Sequence, residues 1–178
     1  MNIYEINDLS NTKVIEILKT GITKSMFKKQ ELLENYLYEY KDNPANLFYR
    51  LENGQFKNGS YFVITDDEDN FIAGSGWYKY NDNTALVLVR MLVRPDYRTT
   101  YIVGHKLLPL MIDRTARYNN VWITCNDYNK AIYDWFDRSS KGKSPALYNN
   151  WPDLYKKFKP IGKQLVNGMQ QYVAALEK

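Results

Sequence analysis

Three apolar runs sit in the middle of the chain: Ser60–Thr65 (SYFVIT), Phe71–Tyr80 (FIAGSGWYKY) and Thr84–Val93 (TALVLVRMLV). The polar stretches DDEDN and NDN separate them, and this spacing predicts strands folded as an antiparallel meander. On the N-terminal side, residues 3–6 predict a short first strand. Val14, Ile17 and Leu18 then recur at helical spacing, between Ser10 as the N-cap and Gly21 as the stop. Leu32, Leu33, Tyr36, Leu37 and Tyr40 predict a second amphipathic helix over about 29–41, ended by Asn43-Pro44.

After the meander, Val103, Leu107, Leu110 and Met111 predict a buried stripe on a helix over 102–118. Pro109 inside that stripe predicts a kink, because it removes a backbone donor and crowds the preceding turn. Val121–Cys125 (VWITC) reads as a strand, Asn129–Arg138 as a helix, SSKGKSP as a loop and 151–158 as a short helix. Ile161–Val166 and Gln170–Leu176 read as two closing strands joined at Asn167-Gly168. The order is βααβββαβαββ: a mixed α/β fold, expected as a single domain over residues 1–178.

Composition narrows the chemistry. One cysteine, Cys125, excludes an intrachain disulfide and a cysteine-based zinc site, and one histidine, His105, excludes a multi-histidine metal site. No metal is expected. No apolar run approaches the roughly 20 residues that span a bilayer, and MNIYEINDLSN lacks the regions of a signal peptide, so the expected location is the cytoplasm, with no membrane partner. A net charge of +4 suits an anionic ligand and is too small to argue for nucleic acid. The 16 tyrosines fit either core-edge packing or a stacking surface, which leaves a binding module open beside an enzyme.

The most informative stretch is TALVLVRMLVRPDYRTTYIVGHKLL, residues 84–108. A strand breaks at Arg94-Pro95 and passes through an arginine, two threonines and a glycine into an apolar periodic segment. A strand-to-helix loop of this kind aims backbone N–H groups and the positive end of a helix dipole at one spot, which suits a phosphate or pyrophosphate. The plainer reading is a mere connection over 98–104.

With this loop go two further pieces: MLVRPDYR (Met91–Arg98) and NDYNKAIY (Asn126–Tyr133). Together, from about residue 60 to the C-terminus, they resemble the GNAT superfamily of N-acetyltransferases. That family has a strand ending in Val-x-Pro, then Arg/Gln-x-x-Gly-x-Gly/Ala, and later an Asn followed seven residues on by a Tyr. The resemblance implies a GNAT-like acyl-CoA N-acyltransferase fold, with a mixed, mostly antiparallel central sheet and flanking helices. It also implies acetyl-CoA as cosubstrate. Backbone groups of Met91, Leu92 and Val93 would pair with the pantetheine arm. The Arg98–Gly104 loop, with Arg98, Thr99, Thr100, Val103 and Gly104, would wrap the pyrophosphate, and Asn129 joins this cofactor-binding set. The loop departs from the family pattern: Thr99, Thr100, Tyr101, Ile102 and Val103 stand where a glycine is usual, and Gly104 matches only with one residue inserted.

Tyr133 matches the family tyrosine that protonates the departing thiolate. Counting from Asn129 instead reaches Phe136, which has no proton to give. No general base stands out; Asp96 and Asp127 read as turn or cap residues, His105 as a helical surface residue and Cys125 as a buried small hydrophobe. The implied reaction is direct attack of a primary amine on acetyl-CoA in a ternary complex, assisted by proximity and by backbone N–H groups at the oxyanion. The acceptor, a small-molecule or peptide amine, would be selected by residues 10–45 and 139–170. The rival is a non-catalytic binding module on the same fold.

Overall fold

The computed structural model describes residues 1–127, 130–141 and 152–178. Its elements are β1 (Asn2–Ile6), α1 (Thr12–Gly21), α2 (Gln30–Glu34), α3 (Leu47–Glu52), β2 (Gly59–Thr65), β3 (Phe71–Asn81) and β4 (Thr84–Val93). Then follow α4 (Leu108–Thr115), β5 (Asn120–Cys125), α5 (Lys130–Ser140), α6 (Asp153–Lys156), β6 (Phe158–Val166) and β7 (Met169–Leu176). The seven strands lie in the order β1-β2-β3-β4-β5-β7-β6. β4 and β5 run parallel, while β1-β2, β2-β3, β5-β7 and β6-β7 are antiparallel. This is the mixed, mostly antiparallel sheet with flanking helices that the resemblance implies. The chain separates into two compact units, Met1–Tyr78 with Arg90–Val103, and Lys79–Val89 with Gly104–Lys178.

In the first unit, α1 buries Val14, Ile15, Ile17 and Leu18, and its N-cap is Asn11, whose side chain accepts from the Val14 N–H at 3.2 Å. The expected cap, Ser10, lies one residue outside. The helix expected over 29–41 is broken: α2 stops at Glu34, and only a 3-10 turn forms at Tyr38–Tyr40. The cause is Asn46, which is fully buried. Its amide donates to the carbonyls of Glu34 (3.0 Å) and Leu37 (2.8 Å), while the Leu47 N–H takes the Asn35 carbonyl at 2.7 Å. Those carbonyls would otherwise have continued the helix. Asn46 also accepts from the Phe48 N–H at 2.8 Å and so caps α3, an element absent from the sequence-based expectation.

The same unit contains a cross-strand reach that fixes β4. Tyr61 on β2 stands opposite Gly76 of β3, and Val63 stands opposite Gly74. The fully buried Tyr61 ring runs along the track of these two glycines, and its hydroxyl donates to the Arg90 carbonyl of β4 at 3.0 Å. Glycine within a strand often marks such a close approach. A Cβ on Gly74 would lie 2.7 Å from the Tyr61 Oη, and one on Gly76 would lie 2.6 Å from the Ser60 carbonyl and 2.7 Å from the Phe56 ring. The AGSG run inside β3 is therefore space for Tyr61 and Phe56.

In the second unit, the helix expected over 102–118 begins instead with a π-type turn, Val103–Leu107, whose first residue still belongs to the first unit. α4 then covers Leu108–Thr115. Pro109 lies in the first turn of α4, directly after that π-type turn, a local widening of the helix of the kind that accompanies a missing backbone donor. Leu107, Leu108 and Met111 are buried, whereas Leu110, expected in the stripe, is exposed. α5 runs on to Ser140; the rest of the expected SSKGKSP loop, from residue 142, lies outside the described residues. The helix expected over 151–158 is limited to α6, and Phe158 already belongs to β6. β6 and β7 meet at Asn167-Gly168, both with positive φ (51° and 77°), as a two-residue hairpin turn requires.

The glycine track yields a stability prediction. Gly74→Val must displace a buried ring and should cost about 1–3 kcal/mol in urea unfolding. The smaller Gly74→Ala should cost less in a Tyr61→Phe background than in the wild type, because the closest clash is with the hydroxyl. Equal costs in the two backgrounds would show that the side chain does not meet Tyr61.

Candidate active site

In β4 two bulky residues, Leu88 (φ 57°) and Arg90 (φ 52°), lie in the left-handed region that non-glycine residues avoid. Each such residue costs on the order of 1–3 kcal/mol unless its surroundings impose it. At Arg90 the restraint is visible. The Tyr61 hydroxyl holds the Arg90 carbonyl, and the Tyr36 hydroxyl donates to the next carbonyl, Met91, at 3.2 Å. Burial pushes the Tyr36 phenol up to about 12, against a smaller opposing effect of the Arg90 charge, and burial likewise pushes Tyr61 well above its ordinary value. Both therefore remain protonated donors at neutral pH.

Past these two residues the end of the strand lies against β3. The Arg94 N–H bonds to the Ile72 carbonyl of β3 at 2.8 Å. By the alternation of hydrogen-bonding groups along a strand, Leu92 faces β3 as Arg94 does, and Met91 and Val93 turn their N–H and C=O groups away from it. β4 and β5 pair only over Thr84–Leu86 and Asn120–Trp122. The Met91 and Val93 carbonyls already accept from side chains, Tyr36 at 3.2 Å and Arg98 Nε at 3.1 Å. A carbonyl has a second lone pair, and the two N–H groups are donors on the same side.

The loop after β4 is built by its own polar residues. Arg94 makes a two-pronged pair with Asp96, which holds the Asp96 carboxyl below the usual carboxylate range, and it also donates to the Phe71 carbonyl. Asp96 is thus a turn residue. A 3-10 turn covers Pro95–Thr100, and Tyr101 follows in the left-handed region at φ 51°, ψ 31°. A right-handed residue followed by a left-handed one turns successive N–H groups to one side, a concavity that suits an anion. Tyr101 thereby supplies the backbone shape for which a glycine would be usual.

Arg98 ties this loop down, donating to the Val93 carbonyl at 3.1 Å and to the Met26 carbonyl at 2.9 Å. The Thr100 hydroxyl is spent on the Tyr97 carbonyl at 2.7 Å, while Thr99 is exposed. Val103 is buried. Met91, Leu92, Val93, Arg98, Thr99, Thr100 and Val103 thus all belong to the first unit, on one strand end and its loop.

The other expected site residues belong to the second unit. A Cβ on Gly104 would lie 2.5 Å from the Tyr155 ring and 2.7 Å from the Pro152 ring, so glycine is required there by packing against the start of α6. The Tyr133 hydroxyl on α5 accepts from the Gly162 N–H at 3.2 Å, and its ring lies 5.0 Å from that of Tyr172. Phe136 is buried between Tyr155 and Phe158, each 5.9 Å away. Cys125 is buried and its thiol is pushed up to about 12 by that burial; His105 and Asp127 are exposed. Asn129 lies outside the described residues. Among the described residues no three metal-ligating side chains cluster, and no helix is long and apolar enough to cross a membrane.

Sequence reasoning missed Tyr36, Tyr61 and Tyr101 as site builders. Tyr101 was visible only as an obstacle in the loop. The glycines opposite Tyr61 were the available signal, because small residues inside a strand ask what fills their space.

No family model matches this sequence, and no curated protein sequence matches it. Solved structures do. An acetyltransferase of the GNAT family from Staphylococcus aureus Mu50 is 19% identical, with a TM-score of 0.51 and 99% of each chain covered. An acetyltransferase from Streptococcus agalactiae 2603 is 12% identical, with a TM-score of 0.60, 99% of this chain and 98% of its own covered. The PaiA N-acetyltransferase of Thermoplasma acidophilum, crystallised in complex with coenzyme A, is 14% identical with a TM-score of 0.54, and both chains are covered in full. With nearly full-length coverage on both sides, this chain has the GNAT acyl-CoA N-acyltransferase fold.

Proposed function

We propose that the protein is an acetyl-CoA-dependent N-acetyltransferase acting on a primary amine. The observation that carries this reading is the loop Arg94–Val103, where Tyr101 takes the left-handed conformation directly after a 3-10 turn and so shapes an anion-binding concavity without a glycine. In this reading the loop holds the pyrophosphate of acetyl-CoA, with Thr99 as an additional donor and Arg98 as tether and positive charge. Met91 and Val93, whose N–H groups face away from β3, pair with the pantetheine arm. Val103, Gly104 and Asn129 complete the cofactor set on the strength of the resemblance.

The amine nitrogen attacks the thioester carbonyl carbon; an amide bond forms, the carbon–sulfur bond breaks, and the amine loses one proton while the thiolate gains one. Backbone N–H groups of β4 stabilise the oxyanion. Tyr133 supplies the thiolate proton. Its oxygen already accepts from the Gly162 N–H, which leaves its own proton free to be donated elsewhere. Phe136, with its ring in the core, is the poorer candidate for that position. The coenzyme A in the Thermoplasma acidophilum structure and the GNAT names of the other similar structures support the same reading.

Two measurements test it. Acetyl-CoA at a hundred times its dissociation constant should stabilise the fold by about 2.7 kcal/mol in thermal melts. Tyr101→Gly should keep or increase that shift, and Tyr101→Val, whose branched side chain resists the left-handed conformation, should diminish it in a protein that still folds. No shift at millimolar acetyl-CoA would favour a non-catalytic binding module on this fold. In turnover assays on a panel of amines, Tyr133→Phe should lower kcat by roughly 10²–10⁴-fold with acetyl-CoA binding little changed. Full turnover in that variant would remove Tyr133 from the mechanism.

A further inference from the structure

Arg90 stands on β4 directly before the Met91–Val93 stretch, and it is mostly buried. Its carbonyl is held by Tyr61, but among the described residues its guanidinium pairs with no carboxylate. Arg50, in the last turn of α3, lies close enough for its charge to oppose that of Arg90, and its Nε is buried with no hydrogen-bond partner among the described residues. Tyr36, Tyr61 and Tyr78 lie close enough to act on the Arg90 charge as well. The Tyr36 and Tyr61 hydroxyls, however, already donate hydrogen bonds to the Met91 and Arg90 carbonyls. All five side chains belong to the first unit.

Two like charges close together without a counter-ion are costly, the more so where one is mostly out of water, and the cost is offset when an anion binds both. Each guanidinium is a planar fork of five donors, the shape that grips a carboxylate by two parallel hydrogen bonds. Burial, with the Arg50 charge adding to it, already pushes the Arg90 pKa down against the opposing influence of Tyr36. An incoming anion would relieve both effects.

The cofactor's pyrophosphate does not fit this place. Arg90 precedes the start of the loop at Arg94 by four residues. Arg90 instead directly precedes the backbone assigned above to the pantetheine arm.

We infer that Arg90 and Arg50 form an anion site that holds a carboxylate of the acceptor, so that the substrate is a small amine carrying a free carboxylate, of the amino-acid type. The identity of the ligand as an acceptor rests on the acetyl-transfer reading; the anion site itself stands on the two arginines.

The test uses the full chain with the twenty common L-amino acids and their carboxamides as paired probes, in turnover with acetyl-CoA and in thermal melts without it. At least one amino acid should be acetylated with kcat/KM about 10–100-fold above its amide, the range expected for charge-assisted hydrogen bonds. The ratio should fall towards one in Arg90→Gln and in Arg50→Gln, chiefly through KM, while acetyl-CoA binding persists. If Arg90→Gln fails to fold, Arg50→Gln carries the same comparison. Amides used as well as the acids, or a ratio unmoved by the substitutions, would overturn the inference. If acetyl-CoA binds and no probe is acetylated, the inference again fails while the acetyl-transfer reading survives. If acetyl-CoA does not bind at all, that reading fails, and the melts decide the anion site: stabilisation by the acids but not the amides, lost in the variants, upholds it, and no stabilisation removes it.

Discussion

The structure of the candidate site depends on one hydrogen bond that crosses a strand. Tyr61 leaves β2, passes over Gly74 and Gly76 of β3, and donates a hydrogen bond to the Arg90 carbonyl of β4. Without that track the ring would not reach. Without the ring a carbonyl on a strained residue would lack this partner, at a cost of about 1–3 kcal/mol if it stayed buried. That is comparable to the strain of one left-handed residue, so the bond is of the right size to hold Arg90 where it is. Tyr36 repeats the device at Met91. Two buried phenols thus fix the course of the strand just before the stretch that the functional reading uses.

The constraint links the two readings of β4. A regular strand would offer its side chains in strict alternation and its backbone groups to both neighbours. The left-handed backbone interrupts this at Arg90, next to Met91 and Val93, which by strand alternation turn their peptide groups away from β3. Arg98 and the left-handed Tyr101 then shape the following loop from side-chain ties to Val93 and Met26 rather than from glycines. Strain is concentrated over a short length of chain, as is common where a backbone is pre-organised for a ligand.

Much of the fold was legible because it rests on local period. Ser60–Thr65, Phe71–Tyr80 and Thr84–Val93 emerge as strands almost to the residue, and Asn167-Gly168 announces its hairpin through a dipeptide suited to two positive φ angles. What escaped depends on partners distant in sequence or on conformations that residue type argues against. The apolar spacing of 29–41 is helical, yet Asn46 takes the carbonyls of Glu34 and Leu37 and breaks the helix. The motif placed the loop at 98–104, but Leu88, Arg90 and Tyr101 are residues for which a left-handed backbone is improbable, so these turns of the chain and the glycine-free concavity were beyond its reach.

The central claim is that β4 presents the peptide groups of Met91 and Val93 to the arm of a CoA thioester. Amide hydrogen exchange, followed residue by residue with and without coenzyme A, tests this most directly. The account predicts that the Met91 and Val93 amides gain protection on binding, while Leu92, which faces β3, and Thr84–Val87 change little. Binding of coenzyme A that leaves Met91 and Val93 unprotected, with the change confined to other parts of the chain, would contradict it.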